Sequence, residues 1–328
     1  MIEFILFIIG IVILVKGADF LVDGASSLAF KWGIAPMVIG LTVVSFGTSA
    51  PELLVSMTSA FKGSTDIALG NVVGSNIFNI LLILGISAII FPLKVQKNTV
   101  WKEIPFSFLA AIFVLILGFR TFIDERQFQS IILAGSQIEG VITRSDGLTL
   151  LAFFIIFLYY TFGIAKVSGD SDIEIKKMSM GKIVLFIILG VVALVIGSQV
   201  AIDNVIALAR MLNISDTLIG FTLVSAGTSF PELFTNIAAA RKKNADIAVG
   251  NIVGSNIFNI FLILGATSFV KDIPIRGIQI VDIMILWVAT AVLFVSIFVW
   301  QRHTLGRKEG IIMVLGYIAY TAFLVYRG

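Results

Sequence analysis

Residues 36–85 align with residues 216–265 at a constant offset of 180, without a gap, and 30 of the 50 positions are identical. A chain of this kind folds the same segment twice. The copies lie in 328 residues that are 58% hydrophobic and 13% charged, with a mean hydropathy of +1.06. So much apolar surface exceeds what a water-soluble core of this length can cover. The chain reads as an all-α integral membrane protein. Its apolar runs, about 17 to 25 residues at about 1.5 Å each, cross a hydrocarbon layer of about 30 Å as helices and are too long for barrel strands.

Ten spans are expected, near 2–22, 35–61, 66–91, 104–120, 148–166, 182–209, 215–240, 246–270, 279–301 and 309–326. Five spans per copy is an odd number, so the second copy enters the membrane upside down relative to the first. The expected architecture is an inverted 5+5 repeat with helices broken near the midplane, as in many secondary transporters. The first repeat covers 1–166, with its duplicated block at 36–85 and an extra external loop of some strand character at 121–147. A linker at 167–181 leads to the second repeat, 182–328, with its block at 216–265. With the N-terminus outside, 14 Lys and Arg fall in cytoplasmic loops and 8 on the other side, which puts both termini on the extracytoplasmic face. The first apolar stretch lacks a basic leader and a small-residue cleavage site and is kept as a span. The absence of cysteine excludes disulfides and thiolate metal sites. The single histidine, His303, reads as a solvated loop residue.

Within the copies, GTSAPE at 47–52 matches GTSFPE at 227–232. Pro51 and Pro231 lack an N–H, and their rings clash with the carbonyls of Gly47 and Gly227, so each helix is interrupted. A carbonyl freed inside a bilayer needs a partner, and ion coordination is one. Glu52 and Glu232 follow directly. An ionised acid at mid-bilayer costs about 2.5–3.5 kcal/mol, which a purely structural helix does not recover. Ser45, Thr48, Ser49 and Glu52 share a helical face, as do Ser225, Thr228, Ser229 and Glu232. The next spans carry GNVVGSNIFN at 70–79 and GNIVGSNIFN at 250–259. There Ser75, Asn79, Ser255 and Asn259 are candidate ligands. Asn71, Asn76, Asn251 and Asn256 serve equally well as ligands or as interhelical hydrogen bonds. All the candidates offer oxygen, the shell a hard cation such as Ca²⁺ prefers, and two carboxylates match the charge of one Ca²⁺ while several Na⁺ could share the same atoms.

The paired GTSxPE and GNxxGSNIFN blocks resemble the two alpha-repeats of the sodium/calcium exchanger family, within the calcium/cation antiporter superfamily, and the likeness spans the whole chain. The resemblance implies a short, prokaryotic-type antiporter that exchanges Na⁺ for Ca²⁺ by alternating access, is no enzyme, and sits in the plasma or inner membrane. It places the ligands on Glu52, Glu232, Ser45, Thr48, Ser49, Ser225, Thr228, Ser229, Ser75, Asn79, Ser255 and Asn259, and makes the first and sixth spans a sliding gate pair. Ca²⁺ and Na⁺ are substrates; no cofactor, nucleic acid or obligate protein partner is expected beyond the lipid bilayer. Potassium-dependent relatives carry aspartate where this chain has Asn259, which points to potassium independence. The short linker has no room for a calcium-sensing domain. Electrogenic exchange follows if three Na⁺ move per Ca²⁺. A calcium/proton antiporter is the alternative, although such relatives typically carry GNxxE in place of GTSxPE. Nothing resembles the nucleophile or oxyanion arrangement of an intramembrane hydrolase. Asp23 and Asp203, also 180 apart, read as caps or interfacial partners.

Overall fold

Glycines spaced seven apart set the longest helix contact. A computed structural model describes residues 2–95, 102–125, 140–164, 178–211, 225–300 and 303–327. In it α1 (Ile2–Trp32) lies along α7 (Met180–Met211). A Cβ on Gly10 would meet Ala201, one on Gly17 would meet Ala193, and one on Gly24 would meet Ile187, so the two helices run antiparallel. From the other side, a Cβ on Gly190 would come within 2.7 Å of the backbone of Leu21, and one on Gly197 within 2.9 Å of Leu14. Small residues that let backbones approach are how helices associate where lipid removes the hydrophobic driving force.

Between these two helices come α2 (Pro36–Thr48), α3 (Ala50–Lys62), α4 (residues 65–90), α5 (Glu103–Glu125) and α6 (Arg144–Ile164). After α7 follow α8 (Ser225–Thr228), α9 (Phe230–Arg241), α10 (Ala245–Val270), α11 (residues 277–300) and α12 (Arg307–Arg327). The described residues hold eight helices long and apolar enough to cross a membrane, or nine if the bent pair α2 and α3 is one span. The expected seventh span, 215–240, begins in residues outside the described ones. Burial separates centre from rim: 94% of the apolar window of α10 and 72% of that of α4 is buried, against 22% for α12. The GSNIFN segments therefore lie on the two innermost helices. Phe258 and Phe261 of α10 pack edge-on or stacked against Phe153, Phe154, Phe157 and Phe106, which hold that helix in place.

Several boundaries differ from those expected. The helix expected to end at 22 runs on to Trp32, because no breaker intervenes before Gly33, whose φ of 63° closes it. There Ile34 N–H donates to Ala29 O and Gly33 N–H to Phe30 O, the reciprocal pair of a left-handed helix stop. Asp23 is thus inside a helix and is no cap. The expected loop at 121–147 shrinks at both ends, since α5 continues to Glu125 and α6 starts at Arg144. Its strand character is real at β2 (Gly140–Ile142), which pairs antiparallel with β3 (Ile273–Ile275). The end of the expected linker, residues 180 and 181, already belongs to α7. A second short pair joins β1 (Leu93–Lys94) to β4 (Thr304–Leu305).

Replacing Gly190 with Val places a branched side chain against the Leu21 backbone. The expected result is a loss of about 1–3 kcal/mol, read as a lower melting midpoint of the detergent-purified protein, while Gly163→Val, where a Cβ would meet nothing within 4 Å, leaves the midpoint unchanged.

Candidate cation site

Each Pro-Glu pair starts a helix. The α2 backbone stops at Thr48, Ser49 takes φ −82° and ψ 7°, and α3 begins at Ala50, with a bend of 47° between the two. Ser229 repeats this with φ −89° and ψ 10° before α9. The break sits two residues ahead of each proline, which then occupies the first turn, where its missing N–H is harmless. Glu52 and Glu232 also fall in that first turn, at the positive end of the helix dipole. Ion coordination is not what satisfies one of the carbonyls expected to be freed: Ser198 Oγ of α7 donates to Gly227 O at 2.9 Å. The matching position in α1 is Ala18, so the copies differ here.

Both acids are fully buried. Ser229 Oγ donates to Glu52 Oε1 at 2.9 Å, and Ser49 Oγ donates to Glu232 Oε1 at 3.1 Å. Ser75 Oγ lies 3.5 Å from Glu52 Oε1, and Ser255 Oγ lies 3.4 Å from Glu232 Oε1. The break serine of each half thus caps the acid of the other half, not its own helix. Further back, Thr48 Oγ1 donates to Asn251 Oδ1 at 3.0 Å and Thr228 Oγ1 to Asn71 Oδ1 at 3.1 Å. Asn79 Nδ2 donates to Asn256 Oδ1 at 3.1 Å, and Asn259 Nδ2 to Asn76 Oδ1 at 3.0 Å. Every one of these bonds has a partner reached by exchanging residue n with n + 180.

Four buried oxygens left without a hydrogen-bond partner are Glu52 Oε2, Glu232 Oε2, Asn79 Oδ1 and Asn259 Oδ1. Two of them belong to carboxylates and two to amides, one of each from each half. They are acceptors facing no donor, an arrangement that costs about 1–3 kcal/mol per neutral group and more for charged ones. A cation relieves it. The described residues contain no group of three or more His, Cys, Asp or Glu, so a metal here would have to be held by mixed oxygens and not by a carboxylate cage. Asn79 and Asn259 each sit in a wide π-helical turn, Phe78–Leu84 and Phe258–Leu264, a distortion frequent at functional sites.

The structure therefore gathers Ser49, Ser229, Ser75 and Ser255 on Glu52 and Glu232, with Thr48 and Thr228 behind them on Asn251 and Asn71, while Asn79 and Asn259 bond in a separate buried cluster with Asn256 and Asn76. Ser45 is not brought to the acids: its Oγ lies 2.7 Å from Gly40 O and 2.9 Å from Asn251 O, a contact between α2 and α10. The Ser225 side chain lies outside the described residues. For Asn71 and Asn251 the interhelical role is visible, since Asn71 Nδ2 donates to Ser56 Oγ and Asn251 Nδ2 to Asn236 Oδ1. The buried Thr235 Oγ1, without a partner one turn after Glu232, escaped the sequence reading because the first copy has Val55 there.

A sequence model described as "Sodium/calcium exchanger protein" matches residues 2–163 and 182–326. The chain belongs to the sodium/calcium exchanger family, as a short member of prokaryotic type. Sodium/calcium exchanger MaX1 of Methanosarcina acetivorans is 31% identical over 99% of this chain and 99% of its own. Inner membrane protein YrbG of Escherichia coli K12 is 33% identical, covering 98% and 96% respectively. Among solved structures, the sodium-calcium exchanger NCX_Mj, soaked with Na⁺ and Sr²⁺, superposes with a TM-score of 0.81 at 31% identity, over 98% of this chain and 97% of that one. Family membership and the long apolar helices together make this a membrane protein.

A buried, hydrogen-bonded carboxylate without a counter-charge is a net cost. In cation-free detergent, Glu52→Gln and Glu232→Gln are each expected to leave the melting midpoint equal to or above that of the parent, measured by tryptophan fluorescence.

Proposed function

We propose that the protein is a secondary antiporter that exchanges Na⁺ for Ca²⁺ across the membrane by alternating access. The observation that carries this is the convergence of Glu52 and Glu232, one from each copy, each with one oxygen held by the other copy's serine and the other oxygen unpartnered. Their charges match one Ca²⁺, and Asn79 Oδ1 and Asn259 Oδ1 add neutral oxygens of the kind Ca²⁺ and Na⁺ both accept. Ser49, Ser229, Ser75 and Ser255 complete the reading of the site as hydroxyl ligands, with Thr48 and Thr228 contributing alongside.

In this reading the chain has ten spans, five in residues 1–166 and five in 182–328, joined by the 167–181 linker, the second five inverted. The reciprocal network and the antiparallel packing of α1 on α7 support it. Both termini face away from the cytoplasm, in line with the bias of basic residues. The protein is a transporter and no enzyme, with Na⁺ and Ca²⁺ as substrates in place of any cofactor. Asn259 supplies no charge, which favours exchange independent of K⁺, and a stoichiometry of three Na⁺ per Ca²⁺ makes transport electrogenic.

Calcium uptake into reconstituted vesicles tests this directly. With the pH gradient collapsed by an ionophore, uptake is expected to follow an outward Na⁺ gradient; uptake that persists without Na⁺ and follows the pH gradient refutes the reading in favour of proton exchange. Glu52→Gln and Glu232→Gln are each expected to reduce Na⁺-driven uptake at least a hundredfold in folded protein. Asn259→Asp is expected to bring in a K⁺ requirement, seen as uptake that rises with K⁺ concentration where the parent's does not.

A further inference from the structure

An amide ligand works only one way round. Its Oδ1 attracts a cation, and its Nδ2 of nearly the same shape repels one. Asn79 and Asn259 keep Oδ1 unpartnered because each Nδ2 is taken by the Oδ1 of another buried asparagine, Asn256 for Asn79 and Asn76 for Asn259. Asn76 is itself oriented, since its Nδ2 lies 3.5 Å from Asn256 O. All four side chains are at most 2% exposed, so water does not compete for these bonds. A flipped Asn79 would set its Oδ1 against Asn256 Oδ1 and aim its N–H groups away from that acceptor. Both bonds cross between the copies, so each half orients the amide of the other.

We propose that Asn76 and Asn256 are positioning residues for cation binding: they do not touch the ion but hold Asn259 and Asn79 with their carbonyl oxygens toward it. The proposal rests on the cation-site reading and extends it to two residues outside the ligand set. Partners of this kind typically change metal affinity 10- to 100-fold when removed.

The test is equilibrium Ca²⁺ binding to detergent-purified protein, paired with KM and kcat of Ca²⁺ uptake. Asn76→Leu and Asn256→Leu, of similar volume but without an acceptor, are expected to weaken Ca²⁺ binding about tenfold or more and to raise KM more than they lower kcat. Asn76→Val, smaller and likewise without an acceptor, replaces Asn76→Leu if that variant yields no folded protein. In an Asn259→Asp background orientation no longer matters, because a carboxylate presents oxygen both ways. There Asn76→Leu is expected to change Ca²⁺ affinity by less than about threefold. Single variants that bind Ca²⁺ like the parent, or a loss that carries over undiminished into the Asn259→Asp background, overturn the proposal. A parent that binds Ca²⁺ but does not exchange it for Na⁺ overturns the antiport reading alone. A parent that binds no Ca²⁺ overturns both.

A different observation carries a second inference. Lys242, just after α9, places Nζ 2.8 Å from Asp23 Oδ1 and 3.4 Å from Asp19 Oδ1 of α1. The positions 180 away are Lys62, Asp203 and Gln199. That second set is arranged otherwise: Asp203 Oδ1 accepts from Gln199 Nε2 at 2.9 Å, and Lys62 is exposed at the end of α3. The packing of the broken helices is unequal too, with a Cβ on Gly47 meeting Val191 and one on Gly227 meeting Ile202, both on α7, whereas exact twofold exchange would pair Gly47 with Val22 of α1. We infer that Lys242–Asp23 and Lys62–Asp203 are alternate latches, the first closed here and the second closing when α1 and α7 shift to the opposite-facing state.

The chain has no cysteine, so pairs can be introduced on a clean background. Both Asp23→Cys with Lys242→Cys and Asp203→Cys with Lys62→Cys are expected to link through a short bis-methanethiosulfonate reagent in membranes. Each link is expected to stop cation exchange until reduced, and conditions that favour one link should disfavour the other. A 62–203 pair that never links under any Na⁺ or Ca²⁺ condition, or links that rise and fall together, overturn the inference.

Discussion

Two carboxylates buried without a basic partner cannot be tolerated by a bilayer protein unless something positive visits them. The fold supplies partial compensation of several kinds. Each acid lies at a helix N-terminus, each has one oxygen held by a serine hydroxyl, and the break that creates the N-terminus is stabilised by a proline in the first turn. None of these adds a full positive charge. The remaining oxygens, Glu52 Oε2 and Glu232 Oε2, stay acceptors without donors, and the two amide oxygens of Asn79 and Asn259 are in the same condition. The proposed cation affinity would follow from this imbalance, at acceptors enclosed by the most buried helices, α4 and α10.

The exchange of residue n for n + 180 runs through every layer of the site, and the shortest side-chain bond to each acid crosses from one half to the other. Ser49 belongs to Glu232 and Ser229 to Glu52. Movement of one half against the other therefore changes both carboxylates at once. A carrier needs such a link between ion binding and the arrangement of its halves, because a ligand shifts a conformational equilibrium only through contacts that differ between states. The glycine-lined seam between α1 and α7 gives those two helices a smooth common surface, and their unequal contacts with the two broken helices show that they need not follow the twofold relation of the centre.

Much of this was legible in the residues. The duplication, an interruption of each helix near its Pro-Glu pair, and the burial of Glu52 and Glu232 against the other half all follow from spacing and from the cost of burying an acid, although the breaks fall at Ser49 and Ser229 and not at the prolines themselves. Helical phase alone put Ser45 on the same face as Glu52, but it could not say which neighbour that face meets, and Ser45 spends its hydroxyl on α10 backbone. Helix ends were misjudged where polar residues such as Asp23 interrupt the apolar run, since hydropathy falls there although no residue breaks the helix before Gly33. The roles of Asn76 and Asn256 were beyond reach of sequence because they depend on which way an amide is turned, and that is decided by a partner 180 residues away. Ser198 escaped for a related reason: it serves Gly227 in one copy, and its counterpart Ala18 gives no signal in the other.

The central claim, that one cation binds between the two copies on oxygens of Glu52 and Glu232, is tested most directly by diffraction from crystals of this protein soaked with Sr²⁺, whose anomalous scattering locates it without reference to the chain. A single strong peak is expected at an oxygen-ligand distance of about 2.3–2.6 Å, or slightly more for the larger ion, from a carboxylate oxygen of each glutamate, with Asn79 Oδ1 and Asn259 Oδ1 turned toward the same pocket. A peak that touches only one of the two acids, or that lies elsewhere with both carboxylates unliganded, would contradict it.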